Sequence, residues 1–345
     1  MTSLELKTRM LEECLSAPAA VARQLAADQN AYAALGDSLR ASPPSSLLTV
    51  ARGSSDHAAH FMAYLMMARL GRVVTSLPMS LITLYQSKIA CEGLVSFAFS
   101  QSGQSPDLVV PTKFFREGGA RTVAFVNAAG SPLAEAAEHV FSLHAGPENS
   151  VAATKSYITQ LVAGARVVAA WQGDEDLAAA LQQLPDDLVK AAGLRWDTAV
   201  EALRGADKLF VIGRGTSLPI ALEAALKFKE TCGIQAEAFS GAEVKHGPMA
   251  LVEEGYPLLV FAPRGPAHAG LVALAEEMRG RGARVLLAAP AGTPGAELEL
   301  ACTGNEDLDP IAAIQSFYPM VEALARARGL NPDQPRHLAK VTKTH

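Results

Sequence analysis

The sequence predicts an α/β protein made of two similar domains, each with a mostly parallel sheet. Short apolar runs of about five residues alternate with helical patterns, which is typical of parallel strands buried on both faces. The stretch "ARGSSD" at residues 51–56 also returns as "GRGTSL" at residues 213–218, each time behind an apolar run. In a chain of 345 residues, this internal repeat indicates that one strand–turn–helix domain is present twice.

Eight apolar runs are the predicted strands. They lie at residues 47–51, 73–76, 94–99, 122–126, 140–143, 209–213, 258–262 and 285–289. The helical patterns between them predict helices at residues 56–70, 106–117, 218–232 and 267–280. The alternation favours parallel pairing, because parallel strands are joined by crossover connections that usually contain a helix.

The domain boundaries follow from these elements. The stretch 171–205 has helical spacing, acidic patches and one proline, Pro185, that is expected to interrupt it. We interpret it as a helical connection between a first domain at residues 31–170 and a second domain at residues 206–330. Residues 1–30 are predicted to form an N-terminal helical segment, and residues 331–345 a C-terminal tail.

The composition argues against several classes of function. The net charge is −5 and no basic run appears, so a nucleic-acid partner is not expected. No apolar stretch is long enough to span a membrane, and the charged N-terminus does not resemble a signal peptide. The four cysteines form no CxxC motif and are expected to be reduced in a cytoplasmic protein. No cofactor is predicted, since the glycine turns lack a complete nucleotide-binding motif. No metal site is predicted either, because no HExxH motif or paired Asp cluster accompanies His57 and His60.

Small polar residues follow two predicted strands in the first half of the chain. Each turn leads into a helix, where free N–H groups and the helix dipole favour an anion, most often phosphate. The serines either cap the helices, or line a crevice that binds a phosphate without Lys or Arg. Their number favours the crevice, because one oxygen suffices for a cap. The candidate residues are Ser54, Ser55, Ser100, Gln101, Ser102 and Ser105.

The predicted helix of the second repeat carries charged residues on one face. Glu223, Lys227 and Glu230 are spaced by four and three residues. They form either an exposed salt-bridged face or part of a functional cleft, and the apolar residues around them favour burial. Further on, Lys245 and His246 lie at a Gly-Pro turn, and His is the usual proton carrier near neutral pH. A carboxylate, a Lys and a His are the groups needed to open a sugar ring and to move a proton between carbons.

Six stretches in collinear order resemble the sugar isomerase (SIS) domain family, in particular the isomerase half of glucosamine-6-phosphate synthases. They are "RGSS", "SQSGQSPD", "AGPENSVAATKSYITQL", "GRGTSLPIALEAALKFKE", "AEAFSGAEVKHGPMAL" and "PRHLAK". The resemblance covers nearly the whole chain and implies a fold of two flavodoxin-like subdomains, in agreement with the internal repeat.

The resemblance also implies roles for individual residues. Glu230 would carry the proton between C1 and C2 of the sugar, with Lys227 assisting beside it. His246 would open the ring from the other subunit of a homodimer, and Lys340 would contact the open-chain sugar from the tail. The serine turns would hold the sugar phosphate. Two further residues that would contact the sugar are Val151 and Ala153.

Departures from the family bear on the substrate and on the direction of the reaction. Thr2 follows Met1 where the synthases have the glutaminase cysteine, so glutamine hydrolysis is not expected. Ala153 replaces a serine, Arg52 a cysteine and Gln235 a histidine. We therefore expect a stand-alone deaminase that converts glucosamine 6-phosphate to fructose 6-phosphate and ammonia. The alternatives are a fructosamine-6-phosphate deglycase, another phosphosugar isomerase, or a non-catalytic sugar-phosphate sensor.

Overall fold

The computed structural model describes residues 7–340. These residues form two compact units, and each unit takes residues from more than one stretch of the chain. The first unit comprises residues 19–146 and 156–185, and the second comprises residues 7–18, 147–155 and 186–340. In this part of the chain, no helix is long and apolar enough to cross a membrane.

The strands and helices alternate along much of the chain. The strands are β1 (Ser46–Val50), β2 (Val74–Ser76), β3 (Leu94–Ser100), β4 (Arg121–Val126), β5 (His139–Ser142), β6 (Lys208–Gly213), β7 (Gln235–Ser240), β8 (Pro257–Phe261), β9 (Arg284–Pro290) and β10 (Leu298–Leu300). The α-helices are α1 (Arg9–Leu15), α2 (Ala17–Ala26), α3 (Gln29–Ala41), α4 (Ser54–Leu70), α5 (Ser80–Thr83), α6 (Pro106–Glu117), α7 (Pro132–Ala136), α8 (Lys155–Gln172), α9 (Glu175–Gly193), α10 (Asp197–Leu203), α11 (Leu218–Cys232), α12 (His268–Gly280) and α13 (Asp309–Ala327).

The first unit contains a five-stranded sheet in the order β2-β1-β3-β4-β5, and all neighbouring strands are parallel. Its central strands are buried on both faces, as the continuous apolar runs predict. In β3, six consecutive residues are buried. Phe97, Phe99 and Phe125 are fully buried at the centre of the sheet, so large side chains fill the core on this unit's central strands.

The second unit repeats this topology. Its sheet has the order β10-β9-β8-β6-β7, again with all neighbours parallel. β7, the second strand of this unit along the chain, lies on one side of β6, and β8, β9 and β10 follow in order on its other side. The first unit has the same arrangement. The prediction of a duplicated α/β architecture is therefore confirmed.

The eight predicted strands are all present, and their bounds differ from the prediction by one residue at most at either end. Two strands were not predicted, β7 and β10, and they lie at the two edges of the second sheet. β7 begins with an exposed, a buried and another exposed residue, and β10 has only three residues. Edge strands of this kind lack the continuous apolar run that marks a central strand.

The expected interruption at Pro185 is wrong. Helix α9 continues through this residue. A proline inside a helix removes one N–H donor and strains the turn before it, but buried leucines on both sides, Leu184 and Leu188, hold the helix in place. Tertiary packing therefore outweighs the local preference of the proline.

Candidate functional site

The two serine turns lie at neighbouring positions in the first unit. β1 and β3 are adjacent parallel strands. Ser54 begins α4 shortly after β1, and Ser105 precedes α6 after β3. In a sheet of this strand order, the connections from β1 and β3 leave in opposite directions, which opens a crevice at their carboxyl ends. The serine turns therefore lie where open α/β sheets bind ligands.

The first turn is shaped by a glycine and held by a distant glutamine. Gly53, the residue before α4, has a φ of +56°, a conformation that other residues adopt with strain. Ser54 and Ser55 are half-buried. The Ser55 hydroxyl accepts a 3.0 Å hydrogen bond from Gln160 Nε2 of α8. This bond fixes the position of Ser55 in the turn.

The second turn is closed by its own hydroxyl groups. Ser100 Oγ accepts a 2.9 Å hydrogen bond from the N–H of Gly103, and Ser102 Oγ accepts a 3.3 Å bond from the N–H of Gln104. Gly103 has a φ of +64°, and a Cβ at this position would lie 2.1 Å from Ser131 Oγ. Only glycine fits without rearrangement, so the backbone path of this turn is tightly specified.

Helix capping does not account for Ser105. It precedes α6, yet its side chain makes no capping hydrogen bond, and the residue before α4 is Gly53, which has no side chain to cap that helix. Ser105, the residue before α6, is half-buried, and so is Gln101. The first N–H groups of a helix have no acceptor within the helix, and an anion in the crevice would satisfy them. Anion binding by the serine turns stays a prediction.

Arg52, in the first turn beside Ser54, forms an ion pair with Asp107 of α6. Its guanidinium lies 3.5 Å from the carboxylate of Asp107, and its side chain is 54% exposed. Asp107 is buried in the first turn of α6. The pair thus links the turn after β1 to the helix after β3. Because solvent screens a half-exposed pair, it contributes little to stability, and the guanidinium stays accessible to an anion.

The corresponding turn of the second unit is built differently. Ser217 Oγ accepts a 3.0 Å hydrogen bond from the N–H of Arg214 and lies 3.0 Å from the Arg214 carbonyl oxygen. Ser217 is only 1% exposed. Its hydroxyl is therefore used to shape its own turn. The charged residues Glu223, Lys227 and Glu230 lie on α11, the helix that follows this turn.

Helix α11 carries three charged side chains that lie close together. Lys227 is fully buried, and its Nζ is 3.3 Å from Glu223 Oε1 and 2.5 Å from Glu230 Oε2. Burial opposes the charge of Lys227, but the two carboxylates outweigh burial and raise the pKa of Lys227 above its ordinary value. The hydroxyl of Tyr318 on α13 donates to Glu223 at 3.3 Å. The charged residues thus form a buried cluster, and the alternative of an exposed salt-bridged face does not hold.

Glu230 is the more accessible of the two carboxylates in this cluster. Its side chain is 20% exposed, whereas that of Glu223 is fully buried. Glu230 lines a cavity of about 580 Å³, together with residues of α11 and of the segment 329–338. A carboxylate that is oriented by a buried ammonium group and reaches a cavity can accept a proton from a bound molecule.

Lys340 is bound to the loop that holds Val151 and Ala153. Its Nζ donates to the carbonyl oxygen of Ser150 at 2.7 Å and to Glu148 Oε2 at 3.3 Å. The Glu148 side chain is fully buried, while Val151 and Ala153 are half-buried. Within the second unit, the structure therefore brings three of the predicted site residues to one loop.

His246 lies on an exposed turn of the second unit. It follows a short 3₁₀ turn, Glu243–Lys245, and its N–H donates to the carbonyl oxygen of Glu243 at 2.9 Å. The neighbouring Lys245 pairs with Glu277 at 2.5 Å. The predicted role of His246 in opening a sugar ring from a second subunit stays a prediction.

Four polar residues in these clusters were not singled out by the sequence. Glu148 and Gln160 both lie in the stretch "AGPENSVAATKSYITQL", in which Glu148 is the single acid and Gln160 is one of two amides. A single acid in a stretch with few charges is a usable signal, because a buried polar group needs a partner. Asp107 and Tyr318 carry no comparable signal, since each lies in a helix with other polar residues nearby.

Comparisons with known protein sequences agree with this architecture. The family model of the SIS domain matches residues 42–170 and 202–293. The glutamine–fructose-6-phosphate aminotransferase of Methanothermobacter thermautotrophicus is 33% identical over 301 residues, which cover 84% of this chain and 50% of that protein. The chain thus spans about half the length of the curated relatives it matches.

Two solved structures are similar to this chain. One, from Silicibacter pomeroyi DSS-3, is described as a "putative phosphosugar isomerase"; it is 43% identical, with a TM-score of 0.90, and the match covers 95% of this chain and 100% of that chain. The glucosamine-6-phosphate deaminase from Thermotoga maritima is 21% identical, with a TM-score of 0.73, over 94% of this chain and 100% of that chain. At 21% identity, the second likeness concerns the fold alone.

Proposed function

The chain belongs to the SIS domain family, and from that premise we propose that it is a phosphosugar isomerase that acts on an amino-sugar phosphate. The first candidate substrate is glucosamine 6-phosphate, with fructose 6-phosphate and ammonia as products. The observation that carries the proposal is the carboxylate of Glu230, which buried Lys227 holds at 2.5 Å and which lines a cavity. The 43% identity to the structure described as a "putative phosphosugar isomerase" supports the reaction class.

In the proposed mechanism, Glu230 transfers one proton within the substrate. It removes the proton from C2 of the open-chain amino aldose and returns it to C1. At the same time the C2 amine loses one proton and O1 gains one, so the C1 aldehyde becomes an alcohol and the C2 amine becomes an imine. The oxidation of C2 balances the reduction of C1. Water then adds to the imine carbon, and ammonia leaves. Lys227 remains protonated because its pKa is raised, and it orients the carboxylate through the proton transfer.

The remaining roles follow the family resemblance. We assign phosphate binding to the serine turns of the first unit, which follow β1 and β3. We assign ring opening to His246 of a second copy of the chain, and contact with the open-chain sugar to Lys340. The pairing of Lys340 with the buried Glu148 and with the Ser150 carbonyl supports a defined place for this lysine.

Product formation from glucosamine 6-phosphate tests the proposal. We expect the wild-type protein to release ammonia and fructose 6-phosphate in equal amounts. Glu230→Gln keeps the size of the side chain but removes the base, so kcat is expected to fall by ~10²–10⁴-fold. The matched control is Glu237→Gln, at an exposed position of β7 in the same unit, which is expected to keep wild-type kcat. A Glu230→Gln variant as active as the wild type would contradict the assigned role.

A substrate panel separates the alternatives. Turnover of fructosamine 6-phosphates, without turnover of glucosamine 6-phosphate, would identify a deglycase with the same proton-transfer chemistry. Turnover of a hexose phosphate without an amine would identify a plain aldose–ketose isomerase. Tight binding of a sugar phosphate with no turnover of any panel member would favour the sensor and overturn the enzymatic proposal.

A further inference from the structure

Glu13, on helix α1 of the second unit, has a buried carboxylate that contacts the loop that binds Lys340. Glu13 is 7% exposed. It accepts hydrogen bonds from the backbone N–H groups of Asn149 and Ser150 and from the Ser150 hydroxyl. Three donors from two adjacent residues therefore converge on one carboxylate. This pattern fixes the backbone path of the loop at the point where it turns toward Val151.

Ser150 is hydrogen-bonded to both Glu13 and Lys340. The Ser150 N–H and hydroxyl face Glu13, and the Ser150 carbonyl oxygen accepts from Lys340 Nζ at 2.7 Å. One peptide segment thus has an anion on its donor side and a cation on its acceptor side. Any shift of the segment at Glu13 displaces the acceptor of Lys340.

A second contact ties the same three segments together. The side chain of Asp333 accepts from the N–H groups of Arg9 and Met10 at 3.0 and 2.8 Å, at the start of α1. The carbonyl oxygen of Asp333 accepts from the N–H of Val151 at 3.4 Å. Helix α1, the loop 147–155 and the segment 331–340 therefore form one hydrogen-bonded assembly within the second unit.

We propose that Glu13 is a positioning residue for the reaction, acting through Ser150 on Lys340. The proposal rests on the proposed function, in which Lys340 contacts the open-chain sugar. Its physical basis is that Glu13 is buried and charged. Hydrogen bonds to a charged group are stronger than neutral ones, and buried N–H groups left without an acceptor are costly. Loss of the carboxylate would therefore release the loop, and Lys340 would lose its fixed place.

A double-mutant cycle tests the coupling between Glu13 and Lys340. Glu13→Gln keeps the shape of the side chain but presents an amide to the N–H donors, and kcat/KM is expected to fall by about tenfold, corresponding to the cost of one unsatisfied buried group. In a Lys340→Met background, the same substitution is expected to change kcat/KM by less than about twofold, because coupled residues are not additive. The matched control is Glu12→Gln on the exposed face of α1, which is expected to leave both backgrounds unchanged. Effects of Glu13→Gln and Lys340→Met that simply multiply would overturn the proposal, because a purely structural role is additive.

Hydrogen exchange provides a readout that does not depend on activity. The amides of Asn149 and Ser150 are expected to exchange at least about tenfold faster in Glu13→Gln than in the wild type or in Glu12→Gln, and exchange in residues 333–340 is expected to rise with them. Unchanged exchange in both segments would overturn the proposal even if activity fell. If the wild-type protein turned over no sugar phosphate, the proposed function would fail, and faster exchange in both segments would still support the positioning of Lys340 by Glu13.

Discussion

Ser55 and Ser217 occupy equivalent places in the two repeats but have different surroundings. Ser55 is half-buried and bonded to Gln160, whereas Ser217 is 1% exposed and bonded to its own turn. The position of both serines is predictable from the sequence, because each follows an apolar run that forms a strand. Their partners are not predictable in this way, since Gln160 lies 105 residues from Ser55 along the chain.

A change at Arg52 is expected to alter phosphate affinity without altering the chemistry. Its guanidinium is half exposed beside the first serine turn and pairs loosely with Asp107 at 3.5 Å. For Arg52→Gln we expect KM for the sugar phosphate to rise by about two- to fivefold, as for the loss of one solvent-exposed charge interaction, with kcat unchanged. The KM of the wild type is expected to increase with ionic strength more steeply than that of the variant, because salt screens the lost interaction.

The duplication supplies the control for this prediction. Arg214 occupies the equivalent position in the second repeat and is exposed. Arg214→Gln is expected to leave KM and its salt dependence unchanged. Equal effects of the two substitutions would show that Arg52 acts through the overall charge of the protein and not through the serine turns.

At the level of whole elements, the apolar pattern predicts the central strands better than the edges. All six central strands coincide with continuous apolar runs, because a central parallel strand is covered on both faces, and of the four edge strands only β2 and β5 do. The edge strands β7 and β10 were missed, since one is partly exposed and the other is very short. On α11, the spacing of the charged residues places them on one face, but it does not predict that Lys227 is fully buried there or that Tyr318 of α13 bonds to Glu223.

The stability of α11 is expected to depend on Lys227. Lys227→Met leaves Glu223 and Glu230 without their shared cation, and breaking a buried ion pair from one side typically costs about 3–5 kcal/mol. We expect a loss of this size in the free energy of unfolding, measured by urea denaturation. Adding Glu223→Gln is expected to restore part of it, because one uncompensated carboxylate is removed. The exposed neighbour Lys229→Met is the matched control, with an expected change within about 0.5 kcal/mol.

The pH dependence of this loss follows from the raised pKa of Lys227. A lysine with a raised pKa in the folded state contributes stability that is fully present below its ordinary pKa of about 10.4 and is lost only as the pH rises through the higher folded value. The difference in unfolding free energy between wild type and Lys227→Met is therefore expected to be the same at pH 7 and pH 9. A difference that shrinks between these values would show that Lys227 releases its proton there, which is incompatible with two carboxylates raising its pKa.

Across the whole molecule, the two units share a strand order but not a distribution of chemical groups. The first unit carries the serine turns at β1 and β3, and the second carries the charged cluster of α11 and the loop that binds Lys340. A sequence repeat predicts the shared topology, because strand order is inherited with the pattern of apolar runs. It does not predict which copy keeps which site. That depends on a few polar residues whose partners come from elsewhere in the chain, as Glu13 and Glu148 do.

The homodimer that the family resemblance implies is testable with two inactive variants. If His246 of one subunit serves Glu230 of the other, Glu230→Gln and His246→Ala are each expected to be inactive alone. In a mixed dimer, one site then combines the intact His246 of the first variant with the intact Glu230 of the second. Random exchange of subunits in a twofold-symmetric dimer makes half of the dimers mixed, each with one working site, so roughly a quarter of wild-type activity is expected to return. Each variant incubated alone under the same exchange conditions is the control. If the mixture stays inactive although mass measurements show mixed dimers, both residues act within one subunit. A fully active monomer would contradict the dimer itself.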